Sequence, residues 1–237
     1  MASAAIGKVF LIPSFIDEEN LQTLPAYILE AVKECNCFFV ENERSARRYL
    51  KQLWKEMIID NYEWHTIHKA EADVKDTFKK TLQRGVTIGI ISEAGCPGVA
   101  DPGQILVETA HAMGALVKPF VGPSSVLLAL MASGMNGQSF QFVGYLPIDA
   151  AERIKTLKEL ENESAKKNCT QIFIETPYRN NQLIESICKT LKPATRLCIA
   201  ADITGATEYI KTKTIADWKN KLPDIHKHPA IFLLYAA

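Results

Sequence analysis

Short apolar runs alternate with amphipathic stretches over the first 120 residues, and this alternation restricts the fold more than any other feature. The runs are Lys8–Pro13, Cys37–Val40, a short strand within Met57–Trp64, Val86–Ile91 and Ala115–Phe120. Val86–Ile91 is short, β-branched and without polar alternation, as expected of a parallel strand buried on both faces. Between the runs lie helical patterns at about Leu24–Glu34, Ser45–Lys55, Asp73–Arg84 and Gln104–Met113. Gly85 is placed to cap the third, and Asp101-Pro102 reads as the start of the fourth. Strand and helix in strict alternation imply a largely parallel sheet with helices on both faces.

The pattern changes after Phe120. Helices are expected over Val126–Ser133, from Asp149 to about Ser164, from Pro177 to Leu191 and over Ile215–Lys221. Strands are expected at Phe140–Leu146, Thr170–Glu175, Arg196–Ala201, Glu208–Thr212 and Ile231–Tyr235. With more strands per helix, this half calls for a mixed sheet. The expected division is therefore an N-terminal α/β domain, residues 1–120, and a C-terminal α/β domain, residues 121–237, with a hinge near Val121.

Composition narrows the function classes. The chain has 27 basic and 27 acidic residues, so no net charge draws it to nucleic acid, and RNA binding has to rest on local patches. One such patch is the basic helix carrying Arg47, Arg48, Lys51 and Lys55. No apolar run is long enough to cross a membrane, and the N-terminus has no signal-peptide pattern. The six cysteines form no CxxC pair or zinc-spaced Cys/His cluster and read as small buried hydrophobes, consistent with a reducing cytoplasm. The five histidines (His65, His68, His111, His226, His228) show no triad or metal spacing, and no metal is expected. P-loop, dinucleotide-binding and nucleophile-elbow patterns are absent.

What remains is a set of breaker-rich loops where strands end: Pro13-Ser14, Ser92–Gly103, Gly122–Ser125, Glu175–Pro177 and His228–Ala230. The carboxyl ends of central strands are where open α/β sheets bind ligands. Small residues there let backbone groups approach a compact, nucleotide-like molecule, and neighbours such as Val99 and Ile231 can enclose a flat ring.

The string Ser92-x-Ala94-Gly95-x-Pro97-x-x-x-Asp101-Pro102-Gly103 resembles the signature of the tetrapyrrole methylase superfamily, the class III S-adenosylmethionine-dependent methyltransferases. The chain is most similar to the branch that methylates a cytidine ribose 2′-hydroxyl of small-subunit ribosomal RNA. Val9–Pro13, Val40–Arg44, Gly122–Ser125, Gly144–Pro147 and Phe173–Arg179 follow that branch's motifs in order. The resemblance implies two α/β domains, the first on the acceptor side and the second on the cofactor side, with S-adenosylmethionine in a cleft between them and a homodimer as the usual assembly. It places Ala94, Gly95, Cys96 and Val99 at the methionine part of the cofactor, Ser124 and Ser125 beside it, and Ile174, Glu175, Pro229, Ala230 and Ile231 around the adenosine. Glu43 and Glu93 are candidate catalytic carboxylates and Arg44 a candidate for orienting the acceptor. The sequence also departs from the branch: Asp17–Asn20 forms an acidic first loop, and Ala201–Gly205 lacks two basic side chains. Two other readings follow from the same resemblance: a precorrin-type or other small-molecule methylase, and a non-catalytic member that binds cofactor. The expected partners are a second copy of the chain and ribosomal RNA or the small subunit, with neither membrane nor DNA.

Overall fold

Strand β1 (Lys8–Leu11) occupies the second-from-edge position of a five-stranded sheet and pairs in parallel with both neighbours, β4 (Ile88–Ile91) and β5 (Leu116–Pro119). The remaining strands, β2 (Cys37–Val40) and β3 (Glu63–Thr66), complete the order β3-β2-β4-β1-β5, parallel throughout. Helices α1 (Ile28–Glu34) and α2 (Glu43–Leu53) cover one face, where Phe10, Ile12, Phe38 and Val40 are buried. Helices α3 (Lys75–Gln83) and α4 (Gln104–Ala112) cover the other, over Val9, Cys37, Phe39 and Ile90. The doubly covered parallel sheet expected from the alternation is what the chain forms. This computed structural model describes residues 5–67 and 74–236.

Several boundaries differ from the sequence expectation for local reasons. Helix α1 begins at Ile28 because residues 25–27 form i→i+3 turns, with the Ile28 amide donating to the Pro25 carbonyl at 3.1 Å. Helix α2 begins two residues early because the Asn42 side chain accepts from the Arg44 and Ser45 amides at 3.0 and 3.2 Å. Asp101 does not cap α4. That position belongs to Gly103, whose φ of 134° is open only to glycine. Residues 59–61 form a 3-10 turn, so strand β3 occupies only the end of its expected window and runs two residues past it. The expected helix start at Asp73 and His68 both lie outside the described residues.

The chain divides into two compact units, Met1–Ser124 and Ser125–Ala237. The second holds α5 (Ser125–Ser133), β6 (Phe140–Tyr145), α6 (Ala150–Lys167), β7 (Thr170–Ile174), α7 (Asn180–Thr190), β8 (Arg196–Ala201), β9 (Tyr209–Thr214), α8 (Ile215–Trp218) and β10 (Ala230–Tyr235). Its sheet runs β6-β7-β10-β8-β9, with β6 and β7 parallel and the other pairs antiparallel, the mixed sheet expected. Asp149 caps α6 through its carboxylate, which accepts the Ala151 and Glu152 amides at 2.9 Å. Pro177 opens only a 3-10 turn, and α7 proper starts at Asn180. Among the described residues no helix is long and apolar enough to cross a membrane.

Candidate functional site

Chain direction decides where a ligand can enter the first sheet. From β1 the chain crosses through α1 towards β2, and from the adjacent β4 it crosses through α4 the opposite way, to β5. Outgoing connections that diverge from neighbouring strands leave a crevice outside their carboxyl ends. The loops after β1, β4 and β5 meet there. Ser14 donates its amide to the Gly95 carbonyl at 2.9 Å, and the Gly95 amide donates to Phe15 at 3.3 Å. The Ser14 hydroxyl donates to the Ser92 carbonyl at 3.3 Å. Gly122 lies so close to Pro13 that an added Cβ would stand 2.1 Å from the proline Cβ. The Cys96 thiol reaches the Pro123 carbonyl at 3.4 Å. Three of the strand-end segments singled out in the sequence, those after β1, β4 and β5, thus interlock. Gly95, at φ 69°, is bonded to the β1 loop through both its amide and its carbonyl.

Beside these loops opens a pocket of about 200 Å³ whose wall includes Ser14, Phe15, Ser45, Arg48, Glu93 and Ala94. Two predicted residues, Glu93 and Ala94, line it. Glu93 is held from both ends: its amide donates to Glu41 Oε2 at 2.9 Å, and its carboxylate accepts the Ser45 hydroxyl at 3.2 Å. Glu43 and Arg44 do not line the pocket. Glu43 pairs with Arg47 at 2.5 Å along α2, while Arg44 is exposed. Arg48 of the pocket wall pairs with Glu18 of the acidic first loop. Val99 is exposed, and Ser124 is half-buried.

Asp101 is a site residue that sequence reasoning missed by treating it as a cap. Burial pushes its carboxyl up to about 7, the nearby Glu41 and Glu93 carboxylates add to the rise, and a hydrogen bond with Ser92 opposes it. Glu41, Glu93 and Asp101 therefore form a carboxylate group beside the loop. The signal in the sequence was an Asp inside a Gly/Pro-rich strand-end loop, but only the pairing of β2 with β4 brings Glu41 to it.

In the second unit the carboxyl ends of β7 and β8 lie beside the amino end of β10, with Ile174 paired to Ile231 and Ala201 to Ala230. The Asp202 amide donates to the Pro229 carbonyl at 3.0 Å, and Lys227 donates to Pro177 at 3.0 Å. The buried Asn180 side chain donates to the His228 carbonyl at 2.7 Å. Ile174, Glu175, Pro229, Ala230 and Ile231 are thus collected at one end of that sheet. The Glu175 carboxylate is engaged through Oε1, which accepts Arg179 at 2.6 Å and the Thr176 amide at 2.7 Å. Ser125 is the first residue of α5. Asp202 and Thr204 take left-handed backbone angles, φ 50° and 71°, in the loop that follows β8. Such angles are costly for a β-branched residue and recur at ligand sites. His228 Nδ1 and Asp202 Oδ2 lie 2.6 Å apart in the same cluster.

The sequence profile of the family described as Tetrapyrrole (Corrin/Porphyrin) Methylases matches residues 19–218. A relative named ribosomal RNA small subunit methyltransferase I, from Mesorhizobium japonicum, is 31% identical over 203 residues, which are 83% of this chain and 64% of the relative. The chain thus spans somewhat under two thirds of that protein's length. Among solved structures, the methyltransferase CobJ matches over 98% of this chain and 95% of its own, with a TM-score of 0.65 at 17% identity. Uroporphyrin-III C-methyltransferase from Thermus thermophilus, solved in complex with S-adenosylhomocysteine, matches over 97% of both chains with a TM-score of 0.57 at 15% identity. At these identities the structural matches bear on the fold.

Proposed function

Because the chain belongs to the tetrapyrrole methylase family, whose members use S-adenosylmethionine, we propose that it transfers a methyl group from that cofactor to a ribose 2′-hydroxyl of small-subunit ribosomal RNA. The observation that carries the reading is the interlocked Ser92–Gly103 loop at the divergent strand ends, with its carboxylate group. The fit to the cofactor is chemical. Its ammonium and sulfonium are cations, and Glu93, Asp101 and the carbonyls of a small-residue loop suit them. In the first unit Ala94, Gly95, Cys96, Val99 and Ser124 contact the methionine part. In the second, the backbone of Glu175 with Ile174, Pro229, Ala230 and Ile231 suits an adenosine group.

The bound cofactor supplies an already activated methyl group. The chain's own work is to align the acceptor, exclude water and accept a proton. Asp101, titrating near 7, is matched to accepting the hydroxyl proton at neutral pH, and Glu93 raises its basicity. Arg44, exposed at the start of α2, orients the acceptor, with Glu43 holding Arg47 beside it. The reading extends to a homodimer acting in the cytoplasm, which light scattering of the purified protein checks at the level of assembly.

Calorimetric titration with S-adenosylmethionine and S-adenosylhomocysteine is the first test, and micromolar binding is expected. Transfer of labelled methyl groups to undermethylated small ribosomal subunits is the second. Failure to bind either cofactor form would sink the enzyme reading, and labelling of a tetrapyrrole in place of RNA would reassign the acceptor. Arg44→Ala should lower kcat or raise the KM for RNA while leaving cofactor affinity unchanged.

A further inference from the structure

We propose that Cys37, Glu63 and His65 form a binding site for a zinc-type divalent cation at the edge of the first sheet. The three come from different parts of the sequence and are joined by strand pairing. β2 and β3 run parallel with Cys37 opposite Glu63 and Phe39 opposite His65. Glu63 and His65 are two residues apart and so share a face, and that is the face on which Cys37 packs under α3. One ligand atom from each, the Cys37 sulfur, a Glu63 oxygen and a His65 nitrogen, all lie within 4.8 Å of one another.

Thiolate, imidazole and carboxylate together are a zinc donor set, and three protein ligands leave a fourth position for water. The ligand atoms of a tetrahedral zinc ion stand roughly 3.3–3.7 Å apart, so closure takes shifts of about 1 Å or less. The site can make them, since β3 is an edge strand and the Glu63 and His65 side chains are 49% and 27% exposed. A second observation points to a missing ligand. Among the described residues His65 Nε2 is buried without a hydrogen-bond partner, and the nearest Glu63 oxygen stands 4.0 Å away. A buried nitrogen left unpaired is costly, and coordination would satisfy it. The Phe39 ring packs against the imidazole, with centroids 4.7 Å apart and planes tilted by 32°.

The charged neighbours shape the binding. Arg84 donates to Glu63 Oε2 at 2.6 Å and to Thr81 Oγ1 at 3.4 Å. Arg84, held on the Glu63 carboxylate, is the outer partner that aims it. Burial pushes the Cys37 thiol up to about 12, with Glu63 adding to the rise and Arg84 opposing it. Burial also holds His65 below its ordinary value, with Glu63 and Glu43 opposing and Arg84 assisting.

The site is independent of the methyl-transfer reading, and its test needs no activity. The reduced, chelator-stripped protein is titrated with cobalt(II), which is then displaced by zinc(II). The expected result is one equivalent per chain, a thiolate-to-cobalt charge-transfer band in the near ultraviolet, and a higher melting temperature with zinc. Cys37→Ser should abolish the band. His65→Gln and Glu63→Gln, on the exposed edge, should weaken binding by at least about tenfold with unchanged circular dichroism. Cobalt binding without a thiolate band, or affinity unchanged in His65→Gln and Glu63→Gln, would overturn the proposal.

Discussion

At the scale of single residues, Asp101 and Gly122 carry the clearest consequences. Asp101 holds its proton in the folded protein until about pH 7, whereas in the unfolded chain it ionises near 3.8. Between those values the unfolded state releases a proton that the folded state keeps, so the group's contribution falls as pH rises and its penalty is complete above 7. Asp101→Asn never ionises. Its melting temperature should match the parent near pH 4 and exceed it at pH 8, by an amount equivalent to about 1 kcal/mol for a half-buried, partly screened group. In turnover the sign reverses: if Asp101 accepts the proton, kcat rises with pH through about 7, and the variant loses that limb. Gly122 tests the packing of the strand-end loops. An alanine methyl would meet Pro13 at 2.1 Å, a contact that no rotamer relieves. Gly122→Ala should cost about 1–3 kcal/mol in denaturant unfolding, as overpacked sites do.

At the scale of elements, α2 links fold to site because it carries Ser45 and Arg48 to the pocket wall. Its start depends on the Asn42 side-chain oxygen Oδ1, which accepts two backbone amides. Asn42→Ala should cost about 1 kcal/mol in thermal melting. The same helix shows what the sequence could reveal. Its amphipathic pattern was plain, but its first turn was missed because Asn42 was read within a motif and not as a cap. The strands Cys37–Val40 and Ile88–Ile91 were legible because burial on both faces demands unbroken apolar residues. The breaker-rich loops were legible for a related reason, since only small residues fit where backbones approach closely. The grouping of Glu41 with Asp101, and of Cys37 with Glu63 and His65, was not legible. Each depends on which strands become neighbours, and local pattern is silent on that.

At the scale of the whole molecule, charge is balanced, with 27 basic and 27 acidic residues, and part of it is answered by ion pairs within the chain. Arg47, Arg48, Arg84 and Arg179 each pair with a glutamate. With a formal net charge of zero the chain has no global electrostatic pull on RNA, so the logarithm of RNA affinity should fall with the logarithm of salt at a slope of only about −2 to −3. Filter binding across a salt series measures it, and a slope steeper than about −6 would contradict the charge accounting. The order β3-β2-β4-β1-β5 has a further consequence, for synthesis. Strand β1, Lys8–Leu11, has both its partners far downstream, at Ile88–Ile91 and Leu116–Pro119. On the ribosome this strand therefore waits, unpaired and apolar, until residue 91 has emerged from the exit tunnel, and its second edge is covered only once residue 119 has followed. Nascent chains stalled before that point should remain protease-sensitive and engage chaperones, and those stalled well beyond it should resist cleavage as one block.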